Sequence, residues 1–174
     1  MKRWLLAGVL CLLSLPALAQ GHIPLLDKVE GHRVRFHYTY SLSQKGAAFA
    51  PVTDGNVLLE GDAYSLEGLD LRVVSDGVTR WTLDPAAREC VVETVDHADI
   101  FTNPALFVTS YRNYLDRIKV NAQGPDSLDV TLTLDADTRA RFVLKDIVFG
   151  PEEGKSDFRM DGKSLEGYLL TDLR

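Results

Sequence analysis

The dominant period along the chain is two. Residues 33–43 read RVRFHYTYSLS, with Val34, Phe36, Tyr38, Tyr40 and Leu42 on one face and Arg33, Arg35, His37, Thr39 and Ser41 on the other. That alternation predicts a long strand buried on one side. LDVTLTL repeats the pattern with Leu128, Val130, Leu132 and Leu134. Further strands are predicted over 56–60, 62–67, 69–75, 78–84, 89–95, 117–121, 141–149, 156–161 and 165–172. Turn chemistry separates them at Glu60-Gly61-Asp62, Glu67-Gly68, Asp76-Gly77, Asp84-Pro85 and Asp161-Gly162. Connections this short join antiparallel neighbours rather than crossover units.

Helical periodicity is scarce. Its best instance is TNPALFVTSYRNYL, where Asn103 suits an N-cap and Pro104 the first helical position. Phe107, Val108, Tyr111, Tyr114 and Leu115 then recur at helical spacing and form one aromatic-rich face. A shorter helix is predicted at IPLLDKV, with Pro24 at its front. The fold class is therefore mainly β (α+β): one strongly curved antiparallel sheet whose concave face is closed by one or two helices. One helix over about ten strands leaves apolar area unmatched, and the expected outcome is either a ligand cavity or poor packing.

Composition narrows the setting. The chain opens MKRWLLAGVLCLLSLPALAQ, in which Lys2 and Arg3 precede an apolar run and Ala17-Leu18-Ala19 supplies small residues for a peptidase. This reads as a secretory signal over 1–19, followed by a single domain over 20–174 in the periplasm. The whole chain carries 19 Lys+Arg against 25 Asp+Glu, a net charge of −6, and two of those cations lie in the leader. An acidic exported domain is a poor partner for nucleic acid or an anionic surface. Of two cysteines only Cys90 lies beyond the leader, so no internal disulfide is expected and the thiol should be packed.

Motifs for catalysis are thin. GPEEGKSD and DGKS echo a phosphate loop but lack its spacing and its following helix. No Gly-x-Ser-x-Gly elbow occurs. Asp96, His97 and Asp99 cluster in ETVDHADIF without a second histidine at ligand spacing. The Glu152-Glu153 pair lies in a turn between Pro151 and Gly154. No catalytic residue, metal or cofactor is assigned, and the chain is not expected to be an enzyme. What remains is an excess of apolar and aromatic side chains on the strands and the helix.

The stretch from Asn56 to Leu115 resembles the LolA-like family of periplasmic outer-membrane lipoprotein carriers. Gly61, Asp62, Tyr64 and Leu66 match its Gly-Asp-x-aromatic-x-Leu segment; Asp76, Gly77 and Trp81 match Asp-Gly-x-x-x-Trp; Asn103, Pro104 and Phe107 match the opening of a helix. The resemblance implies an unclosed β-barrel, lid helices, and a hydrophobic cavity that takes the acyl chains of a lipoprotein or another lipid. It implies an inner-membrane donor complex and an outer-membrane acceptor as partners, and a monomer. The cavity lining is expected from Phe36, Tyr38, Tyr64, Leu66, Trp81, Phe107, Val108 and Tyr111. Ser65 stands where the better-known carriers have an arginine that the resemblance ties to lid closure and handover, so handover here is expected to differ. The alternative is a protein-binding or sensor module on the same half-barrel; a lipid hydrolase is disfavoured by the missing elbow.

Overall fold

The computed structural model describes residues 22–96 and 100–174. The expected leader, and His97 and Asp99 of the acidic cluster, lie outside them. The strands are β1 (Arg33–Gln44), β2 (Ala50–Glu60), β3 (Ala63–Gly68), β4 (Leu71–Ser75), β5 (Thr79–Asp84), β6 (Glu89–Thr94), β7 (Ile118–Gln123), β8 (Leu128–Thr133), β9 (Thr138–Gly150) and β10 (Leu169–Asp172). Two α-helices are described, α1 (Pro24–Asp27) and α2 (Pro104–Ser110).

All ten strands form one sheet in the order β10-β6-β5-β4-β3-β2-β1-β9-β8-β7. Neighbours are antiparallel except β10, which runs parallel to β6. The ends of the order, β10 and β7, do not pair with each other, so the curved sheet stays open. Curvature has a local cause in the longest strands. The register of β1 slips against β2 between Tyr40 and Ser41, and against β9 between Arg35 and His37. Asp146, opposite that second slip, has a φ of 54°. Bulges of this kind bend a strand and increase its twist.

Room on the concave side is made by two glycines. Tyr38 pairs with Gly55, which pairs with Gly68. A Cβ on Gly68 would lie 2.4 Å from the Tyr38 hydroxyl, and one on Gly55 would lie 3.1 Å from the Tyr38 ring. Gly68 therefore ends a strand, and the turn expected at Glu67-Gly68 falls instead on Leu69 and Asp70, with φ of 53° and 60°.

Topology explains why both faces are covered. The meander β1 to β6 proceeds outward from β1 to one side. The chain must then cross the whole sheet to begin β7 at the opposite edge, and α2 with the following 3-10 segment Tyr111–Arg117 makes that crossing over the concave face. After β9 the chain crosses back over the convex face and adds β10 beside β6. This second crossing, residues 151–168, is a strap. It contains a 3-10 turn at Lys155–Phe158 rather than the strand expected over 156–161. Its apolar residues serve one face of a neighbour and have no ladder to join. Phe158, fully buried, packs with Ala63 and Val74; Met160, Leu165 and Tyr168 pack toward Trp81, Leu83, Cys90 and Val92. The Glu60 carboxylate fastens the strap by accepting the backbone N–H groups of Glu153 (2.9 Å) and Gly154 (2.7 Å). Arg33 lies 3.6 Å from Glu60, donates to Asp157 at 2.6 Å, and sits over the Phe158 ring.

Candidate functional site

The concave face carries one continuous apolar surface. Its floor includes Phe36, Tyr38 and Tyr40 of β1, Val57 and Leu59 of β2, Val130 and Leu132 of β8, and Phe142 and Leu144 of β9. Cross-strand pairing aligns them: Tyr40, Phe142 and Val130 form one row across three strands. Alternation along each strand does the rest, because every second side chain points the same way.

Two short helical pieces form the lid. In α2 the five residues Pro104 to Val108 are all buried. Asn103 caps the helix, its Oδ1 accepting from Ala105 (2.9 Å) and Leu106 (3.3 Å). Phe107 stacks on Phe142 with ring centroids 5.2 Å apart. The expected helix over 103–115 breaks after Ser110 into the 3-10 segment, with a non-helical backbone at Tyr114. From the other side α1 contributes Leu25 and Leu26.

A polar junction ties the pieces to each other. The Tyr111 hydroxyl donates to Asp27 Oδ1 at 2.5 Å, and Arg112 donates to the same oxygen at 2.6 Å. His22 lies 2.5 Å from the other carboxylate oxygen. Burial alone would raise the Asp27 pKa, but the Tyr111 and Arg112 hydrogen bonds and the nearby His22 bring it below the ordinary carboxylate value. For Tyr111, burial and the Asp27 carboxylate push the phenol up and outweigh the opposing effect of Arg112.

Seven of the eight residues expected to line a cavity come together here. Phe36, Tyr38, Tyr64, Phe107, Val108 and Tyr111 are buried in one cluster, and Leu66 packs half-buried at its margin. Trp81 does not join them. It pairs with Val74 and Val92 and packs under the strap on the convex face. The physical reason is parity: on β5 the side chains facing inward are Arg80 and Thr82, so Trp81 between them faces outward. Ser65 pairs with Leu58 and Val74, so it too lies on the convex face, away from the lid.

Inward-facing Arg80 is the residue the sequence reading missed. Its Nε and Nη2 both lie 3.0 Å from Glu93 Oε1, the residue opposite it on β6. The Tyr64 hydroxyl is buried among Ser75, Arg80 and Asn103, and that burial raises its pKa. A polar end thus adjoins the apolar floor where the lid begins. The sequence puts Arg80 and Trp81 on opposite faces of β5 and carries no signal for which of them faces inward.

The centre of the floor is tightly covered. Phe107, Val130, Leu132, Phe142 and Leu144 each have 0 % of their surface exposed, so no water-sized void touches them. The cavity expected from surplus apolar area is absent around these residues. On the concave face α1 adds Leu25 and Leu26 to the cover that α2 provides. Among the described residues no three His, Cys, Asp or Glu side chains group as a metal site. No protein-family model matches the chain, and no curated protein matches it.

Proposed function

We propose that the protein is a non-enzymatic periplasmic carrier of the LolA-like kind, which binds the acyl chains of a lipoprotein or another lipid between the concave face and the lid. The observation that carries this reading is a continuous aromatic and aliphatic floor under a lid that contributes no strand to the sheet. Lifting α1 and α2 breaks side-chain packing and leaves the sheet ladder whole.

Magnitudes favour exchange of lid for ligand. Exposing the four lid side chains Leu106, Phe107, Val108 and Tyr111 costs about 6–12 kcal/mol at about 1.5–3 kcal/mol each. An acyl chain burying about a dozen methylenes returns about 10 kcal/mol at about 0.8 kcal/mol each. A ligand therefore replaces the lid contacts without holding the lid irreversibly open, which transport between a donor and an acceptor requires. Since Ser65 faces away from the lid, handover in this protein would use other groups, with Arg80 the cation that adjoins the lid.

A second reading, a protein-binding or sensor module, is favoured by one observation, the full burial of Phe107, Val130, Leu132, Phe142 and Leu144. Native mass spectrometry of protein recovered from the periplasm separates the two. The carrier reading expects a lipid adduct, or a mass shift when an acylated peptide is added. Repeated recovery of bare protein with no shift would leave only the second reading.

A further inference from the structure

The strap covers only part of the convex face. Over β9, β8 and β7 that face is bare, and cations gather on it. Arg141, Thr131 and Lys119 form one cross-strand row, and Arg139 lies two residues before Arg141 on the same side. Thr131 is short and its neighbours are long, so the row has a dent, walled by Lys119, Arg139, Arg141, Asn121 and Phe49. Phe49, from the β1–β2 connection, holds both guanidiniums, with Arg139 5.6 Å and Arg141 5.9 Å from its ring centroid.

The cations there outnumber their partners. Arg141 donates to both oxygens of Asp129, at 2.9 and 2.5 Å. Arg139 donates to the Ser43 hydroxyl at 3.3 Å. Among the described residues no carboxylate lies within ion-pair distance of Arg139 or Lys119. Asn121 Nδ2 donates to Asp129 (2.9 Å) and to Thr131 Oγ1 (2.8 Å), so the Thr131 hydroxyl keeps its own proton to give. Two surplus positive charges thus face one dent on a chain whose net charge is −6. Adjacent like charges repel, and among the described residues no carboxylate offsets these two.

We propose that this dent binds a phosphate-bearing anion, seated on Thr131 and held by Lys119 and Arg139. A tetrahedral oxyanion accepts from several sides at once, which suits an ammonium, a guanidinium and a hydroxyl converging from three strands. The surplus of two charges matches a phosphate dianion. The site lies on the opposite side of the sheet from the lid and does not rest on the carrier reading. Its sources are a free phosphate group and the headgroup of an anionic phospholipid.

The test titrates the purified protein at low salt with inorganic phosphate, read by NMR shifts at Thr131, and with vesicles of phosphatidylcholine alone or mixed with phosphatidylglycerol, read by co-sedimentation. Binding of phosphate and of the mixed vesicles assigns the headgroup; binding of phosphate alone assigns the free anion. In either case Lys119→Gln with Arg139→Gln should weaken binding by about 25-fold, since each cation contributes about fivefold. Thr131→Val should weaken it with the fold intact. Arg72→Gln, on the same face outside the dent, should leave it within about twofold. Failure of both ligands to bind, or equal binding by the double variant and its parent, overturns the proposal.

Discussion

The two faces of the sheet are closed in opposite ways. On the convex side the strap is anchored by ionic and backbone contacts to the sheet itself: Glu60 accepts two strap N–H groups, Arg33 binds Asp157, and Phe158 is driven into the surface between Ala63 and Val74. It ends by adding β10 to the ladder. On the concave side the lid meets the floor mainly through packing, with a polar contact where Asn103 meets Tyr64, and its strongest polar junction, Asp27 with Tyr111 and Arg112, joins lid to lid. Covering the same sheet, one crossing is built in and the other is laid on. Stability that comes mainly from side-chain packing can be exchanged for packing against another apolar body; ionic and backbone anchors cannot.

That contrast is open to attack at each face. The largest effect is expected from Phe158→Ala, which empties a fully buried site under the strap. Global stability in denaturant should fall by about 3–5 kcal/mol. A loss confined to local fraying of the strap would erase the distinction between the faces. Asn103→Ala removes the cap of α2, and helix caps contribute about 1 kcal/mol. Here the change should appear as faster hydrogen exchange in α2, with the exchange of β1 and β9 amides unchanged. The smallest effect is expected from acid. The Asp27 pKa is depressed in the folded lid, so its stabilising contribution is complete above the ordinary aspartate value of about 3.9 and is lost as pH falls through the folded value. Lid opening should therefore increase below about pH 4, and Asp27→Asn should flatten that dependence when the two proteins are compared by hydrogen exchange.

Much of this was legible along the chain. The alternation at 33–43 marks β1, and Val34, Phe36, Tyr38 and Tyr40 are indeed its buried side. Asp76-Gly77 makes its turn, with Asp76 Oδ1 accepting from Val78 and Thr79. Asn103-Pro104 opens a helix. These are local signals, each set by a few neighbouring residues. What escaped reading is long-range. The pairing of β1 with β9, and the parallel addition of β10, depend on where the chain returns after crossing the sheet. Alternation on β5 shows that Trp81 opposes Arg80 but not which of them faces inward, and an aromatic beside an arginine misleads in favour of the aromatic. The strap carries Phe158 and Met160 at strand-like spacing, and both pack on the sheet although the segment forms a 3-10 turn and no strand. The basic dent assembles only once β7, β8 and β9 are in register.

The central claim is that ligand displaces the lid and leaves the strap in place. Beyond the expected leader, Trp81 is the one tryptophan of the chain, and it sits under the strap. Hydrogen exchange measured with and without an acylated peptide, with Trp81 fluorescence recorded on the same samples, tests both halves together. The account predicts altered exchange across Pro104–Arg117 with unchanged exchange in β6 and unchanged Trp81 emission. A Trp81 shift with a silent lid would place the ligand on the other face and contradict it.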